Sequence, residues 1–104
     1  MTPEETASGL ERCREQIDVL DRQIASLLNE RAKVVEVIGG LKQGAQMRVY
    51  EPKREDQVFA NISSANHGPL TNHSVRGIFE RIIDEMRSIQ RQRMIQTPPE
   101  EPKC

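Results

Sequence analysis

Four cations, one amide and two acids are the side chains whose types and spacing could do chemistry: Arg14, Arg31, Lys42, Arg54, Gln90, Glu51 and Glu55. Arg31 is the most informative. At 100° per residue, the segment from Leu10 to Lys42 reads as one amphipathic helix. Its apolar stripe runs Leu10, Cys13, Ile17, Leu20, Ile24, Leu27, Leu28, Val34, Val35, Ile38. Arg31 falls on the centre line of that stripe, and Lys42 points the same way within about 20°. No acidic residue occupies the stripe. An unpaired buried charge is very costly, so two cations facing a core call for an anion from elsewhere.

A single inward Arg or Lys is accounted for by a stem lying along apolar surface with its head in water, or by a carboxylate on another helix. Two on one line, with a third cation at the edge of the same stripe, point to a site. Arg14 lies about 100° around from Arg31 and about 25 Å away along the axis, so one straight helix cannot bring both onto one small ligand. Arg31 and Lys42, about 16 Å apart, can converge on a point between them. Arg14 must then reach a different copy of the site. An antiparallel helix from a second chain would do this and would create two equivalent sites by two-fold symmetry.

The remaining polar candidates lie further along the chain. Gln90 shares the apolar face of a later helix, about one turn beyond Met86, and as an amide it donates a hydrogen bond independently of pH. Arg54 and Glu55 border the packed face of the middle helix, with Glu51 one turn before them; taken singly, these are ordinary first-turn charges. The set contains no Ser/His/Asp or Cys/His group and no metal-ligand spacing, because His67 and His73 both fall in a connecting region. It suits a small di-anion bearing hydroxyl groups, held by charge-assisted bonds. A reaction driven by conformational restraint and electrostatics needs nothing more.

The elements that must position these groups are all helical. Residues 1–8 are polar and read as a flexible start. The first helix follows, with Gly39 and Gly40 marking either a close approach or a weakened helix end. Gln43 to Tyr50 reads as a loop, and Glu51-Pro52 opens a second helix whose apolar face is Val58, Phe59, Ile62 and Ala65. Asn66-His67-Gly68-Pro69 stops it. Thr71 or Asn72 can cap a third helix carrying Val75, Ile78, Phe79, Ile82, Ile83, Met86 and Ile89. Arg93 also points inward there. Residues 97–104 form a Pro/Glu/Lys tail expected to be disordered. The expectation is an all-α domain over residues 9–96 in the order long, short, long.

Composition narrows the function. The chain has 104 residues, 36% hydrophobic, with no Trp, two Phe and one Tyr, so a lone copy has few large side chains to bury. A shared helical core in an intertwined dimer would remedy that. Net charge is −1 and the pI about 6.1, which favours neither nucleic acid nor an anionic membrane. No run approaches a membrane span, and the first residues lack the blocks of a signal peptide. Cys13 and Cys104 offer no disulfide framework, so a reduced cytoplasm is the default compartment.

The run CREQIDVLDRQIASLLNERAKVVEVIGGLK followed by RVYEPKRE resembles the all-helical chorismate mutases, over about residues 10 to 94. The matching features are Arg14 before IDVLD, Arg31 after LLNE, Lys42 further on, the EPKRE element and a Gln late in the third helix. The resemblance implies an intertwined homodimer of three-helix chains with two sites, each borrowing one Arg from the partner. It implies a cofactor-free Claisen rearrangement of chorismate to prephenate, on the route to phenylalanine and tyrosine. Arg14 from the partner and Arg31 would bind the two substrate carboxylates. Lys42 and Gln90 would donate to the ether oxygen, Glu55 with Glu51 would accept from the ring hydroxyl, and Arg54 would add positive field. Met86 stands where many members carry a small polar residue near a carboxylate, so its place in substrate binding departs from the pattern. A chain of this length suggests a free-standing enzyme. The rival readings are an isochorismate-pyruvate lyase on the same scaffold, and a non-catalytic helical dimer whose inward cations pair with protein carboxylates.

Overall fold

The computed structural model describes residues 1–96, and the tail from 97 lies outside the described residues. Three helices follow one another: α1 Pro3–Gly44, α2 Pro52–Ala65 and α3 Asn72–Gln96. Among the described residues no strand occurs. The order long, short, long is the one the periodicity predicts.

α1 begins at Pro3, so residues 3–8, read from sequence as a flexible start, are helical. The cause is a local cap. Thr2 Oγ1 accepts from the Glu5 amide at 3.1 Å, its carbonyl accepts the Thr6 amide at 3.0 Å, and Pro3 occupies a position with no amide to satisfy. Glu4 and Glu5 then lie in the first turn, where the helix dipole favours acids.

The other end of α1 also runs past its expected limit. The helix takes in Gln43 and Gly44, and the loop begins at Ala45 rather than Gln43. It closes with the Met47 amide on the Lys42 carbonyl at 2.8 Å and the Gln46 amide on the Gln43 carbonyl at 3.1 Å. Gln46 has φ +57. This is the paired-bond ending that usually places glycine in the left-handed position, here occupied by a glutamine.

α2 opens with Pro52 in its first turn, as expected from Glu51-Pro52. Between α2 and α3 the Asn66 side chain organises the turn. Its Nδ2 donates to the Leu70 carbonyl and to Asn72 Oδ1, both at 2.8 Å, while its Oδ1 accepts the Gly68 amide at 3.2 Å. Gly68 has φ +79, a conformation that side chains rarely adopt. Thr71 caps α3, its Oγ1 accepting the Ser74 amide at 3.1 Å.

The chain resolves into two compact units, Met1–Lys33 and the part from Val34 onward. In the second unit Val35, Phe59, Ile83 and Met86 form the buried apolar core, and α2 packs on α3. Gly39 marks a close approach: a Cβ there would lie 3.4 Å from Arg93 Cγ and 3.5 Å from Gln90 Cα. Gly40 has nothing within 4 Å of that position, so of the glycine pair only Gly39 serves packing.

The long stripe of α1 is not buried within one chain. Ile17 and Ile24 are each 54% exposed and Leu27 63%, and Leu10, Leu20, Val34 and Ile38 are exposed too. Of the stripe residues, Val35 alone is buried. The stripe that periodicity reads as apolar is largely exposed in the single chain.

Candidate active site

Lys42 sits in the last turn of α1, three residues beyond Gly39 and so on the same side of the helix. It is 7% exposed. Its Nζ donates to the Val49 carbonyl at 2.8 Å and faces Glu51 Oε1 at 3.7 Å. The position that caps α2 is Glu51, yet its side chain makes no capping bond. The carboxylate is turned towards the ammonium instead. The anion that the stripe of α1 lacks thus reaches Lys42 from its own chain: the loop after α1 doubles back and brings Glu51 to it, which helix periodicity cannot show.

Gln90 is 9% exposed, and among the described residues its Oε1 is buried without a hydrogen-bond partner. An orphaned buried acceptor costs about 1 to 3 kcal/mol, so a donor arriving at that position would be favoured. Lys42 and Gln90 are the buried polar side chains of the described structure. Gly39 connects them, since its close approach to the Gln90 backbone brings the end of α1 against α3. The Gln43 amide tightens the same junction by donating to the Met94 carbonyl at 3.0 Å.

Glu55, in the first turn of α2, accepts two bonds from one guanidinium: Arg87 Nε to Oε2 at 3.0 Å and a terminal nitrogen of Arg87 to Oε1 at 2.7 Å. Sequence reasoning missed Arg87. The Glu55 hydrogen bond raises its pKa above the ordinary arginine value, against the opposing effect of burial, with the charges of Glu55 and Asp84 adding to the rise. The available signal was a cation flanking the Ile83–Met86–Gln90 face of α3. Its partner lies 32 positions away, a separation no helical spacing reports.

The other expected residues fall elsewhere. Met86 is buried among the core side chains. Arg54 is exposed and donates to Gln57 Oε1 on its own helix at 3.3 Å. Arg14 and Arg31 both lie in the first unit, Arg14 exposed and Arg31 half-buried. Arg93 is exposed, its stem against Gly39. Among the described residues no group of three His, Cys, Asp or Glu side chains is placed to hold a metal ion. No described helix is long and apolar enough to cross a membrane.

A buried ammonium with a donor to spare, facing the Glu51 carboxylate, and a buried amide on α3 can bind an oxygen-rich anion and stabilise charge on one of its oxygens. The sequence profile of chorismate mutase type II matches residues 13–91. The bifunctional chorismate mutase/prephenate dehydratase of Neisseria gonorrhoeae is 42% identical over 79 residues, covering 75% of this chain and 21% of that protein. The chain thus spans about a fifth of that relative's length.

Two solved structures are similar over most of the chain. Chorismate mutase from Helicobacter pylori in complex with prephenate superposes with a TM-score of 0.81 at 26% identity, covering 88% of this chain and 99% of that one. The form II chorismate mutase of Thermus thermophilus gives a TM-score of 0.78 at 29% identity, covering 80% and 94%. With the profile matched across all three helices, this chain belongs to the chorismate mutase type II family.

Proposed function

We propose that this chain catalyses the rearrangement of chorismate to prephenate, working in the cytoplasm as a homodimer in which each site takes Arg14 from the partner. The observation that carries the reading is the burial of Lys42 and Gln90 in a unit with so small an apolar core. Buried polar groups cost stability unless they are partnered. A substrate oxygen can accept from the Lys42 ammonium and the Gln90 side-chain N–H, and a substrate hydroxyl can donate to the unpartnered Gln90 Oε1. The exposed apolar face of α1 supports the dimer, since a second copy would cover Ile17, Ile24 and Leu27.

The reaction is unimolecular. The ether carbon–oxygen bond breaks as the enolpyruvyl methylene forms a carbon–carbon bond to the ring, and no cofactor takes part. Negative charge gathers on the ether oxygen in the transition state. Lys42 has three N–H donors. One is held by Val49 and one is directed at Glu51, leaving the third for that oxygen, with the Gln90 amide donating beside it. Arg31 and Arg14 of the partner subunit hold the two carboxylates and with them the folded conformation of the substrate. Glu55 and Glu51 accept from the ring hydroxyl. Arg54 contributes positive field, and Met86 presents an apolar wall where a polar contact to a carboxylate would otherwise be made.

The test offers chorismate and isochorismate separately to the purified protein and identifies the products by chromatography. Prephenate from chorismate, with little salicylate from isochorismate, is the expected result. Dominant salicylate and pyruvate would make the chain a lyase on this scaffold. No turnover and no binding of either would leave the buried cation with a structural role.

A further inference from the structure

Arg87 joins three parts of the second unit. It is rooted on α3, forks onto both oxygens of Glu55 in the first turn of α2, and stands 5.4 Å over the ring of Tyr50 in the loop leading into α2. Its remaining terminal nitrogen faces Asp84 at 3.4 Å. The pair is largely sheltered, with the Arg87 side chain 27% and the Glu55 side chain 19% exposed. Other ion pairs of α3, Arg76 with Glu80 and Arg81 with Glu85, link neighbouring turns of one helix at its exposed surface. Arg87 is different in kind, because it ties two helices and a loop together.

A two-pronged bond fixes the plane of a carboxylate as well as its position. It also leaves acceptor capacity unused, since an ionised carboxylate offers about four lone-pair sites and the fork occupies two. Without the fork, a glutamate in a first helical turn is free to swing to solvent or to the unpaired amides of its own helix end.

We propose that Arg87 is a positioning residue: it orients Glu55 so that the remaining lone pairs accept from the ring hydroxyl of the substrate, and it touches no reacting atom itself. This rests on the reading that the chain rearranges chorismate with Glu55 bound to that hydroxyl. The hydroxyl is present alike in substrate and transition state, so the bond to it is uniform binding and its loss appears in KM rather than kcat.

The experiment compares wild type, Arg87→Met and Arg87→Lys on chorismate and on the analogue in which hydrogen replaces the ring hydroxyl. Circular dichroism confirms helicity before kinetics. For chorismate, Arg87→Met should raise KM about tenfold with kcat within about threefold. Arg87→Lys keeps the charge but not the planar fork and should fall between the two. For the analogue, all three proteins should share one KM. An unchanged KM for chorismate in a folded variant overturns the proposal. So does an equal rise for both substrates, which marks a structural role; if Arg87→Met does not fold, the same comparison on Arg87→Lys decides. A wild-type protein that leaves chorismate unchanged refutes the underlying functional reading instead.

Discussion

Replacing Lys42 by methionine tests the proposed catalysis directly. Methionine retains most of the buried stem and removes the charge, so the packing at the end of α1 is kept. Two effects follow, of different size and in different assays. In the free protein the substitution removes a 2.8 Å bond from a charged donor to the Val49 carbonyl, worth about 1.5 to 3 kcal/mol. The facing Glu51 carboxylate is 37% exposed and water can solvate it, so the lost ion pair adds under about 1 kcal/mol. Helicity should survive with a lowered thermal midpoint. In the reaction, a pre-placed donor to a developing oxyanion contributes about 3 to 4 kcal/mol, a hundred- to thousand-fold in kcat. That loss falls on the chemical step and is read separately from the stability effect. Turnover is followed by the disappearance of chorismate absorbance at saturating substrate, beside circular dichroism of the same samples. A folded Lys42→Met protein with kcat within about threefold of wild type would refute the reasoning.

Four further outcomes are expected. If each site takes Arg14 from one subunit and Arg31 from the other, Arg14→Ala and Arg31→Ala proteins are each inactive, yet mixing and refolding them restores about a quarter of wild-type activity, because half the dimers are mixed and each has one intact site; no recovery argues against the shared site. Gln46 at φ +57 carries left-handed strain that glycine relieves, so Gln46→Gly should stabilise by about 0.5 to 1 kcal/mol after the unfolded-state entropy is subtracted, read as a higher midpoint in urea. Thr71→Ala removes the cap on the Ser74 amide and should cost about 1 kcal/mol in the same titration. The pKa of Arg87 is raised in the folded protein, so its contribution is fully present below the ordinary arginine value and is lost only at higher pH; the midpoint difference between wild type and Arg87→Met should therefore stay constant from about pH 7 to 10.

The helix ends show where local reading succeeds and fails. The stop at Asn66 to Pro69 and the Thr71 cap depend on residues within a few positions, and both were legible. Thr2 is an equally local cap, but it precedes the apolar stripe, and periodicity therefore started α1 too late. The far end of α1 was missed for the opposite reason: a glutamine occupies the left-handed position where glycine would have announced the stop.

What the sequence determined by itself is the part of this protein that repeats every few residues: three helices, their apolar faces, and cations set among apolar positions at helical spacing. Helix formation and capping are decided by neighbours in the chain, so their signals are present in the chain. Only the tertiary structure decided which charges meet. The return of the loop to place Glu51 at Lys42, the seating of Gly39 against α3 and the Arg87 fork on Glu55 each join residues through space. Such pairings depend on how faces pack, and a face specifies that it must be covered without specifying by what. The exposed stripe of α1 is the plainest case, apolar by sequence and still uncovered when one chain has finished folding.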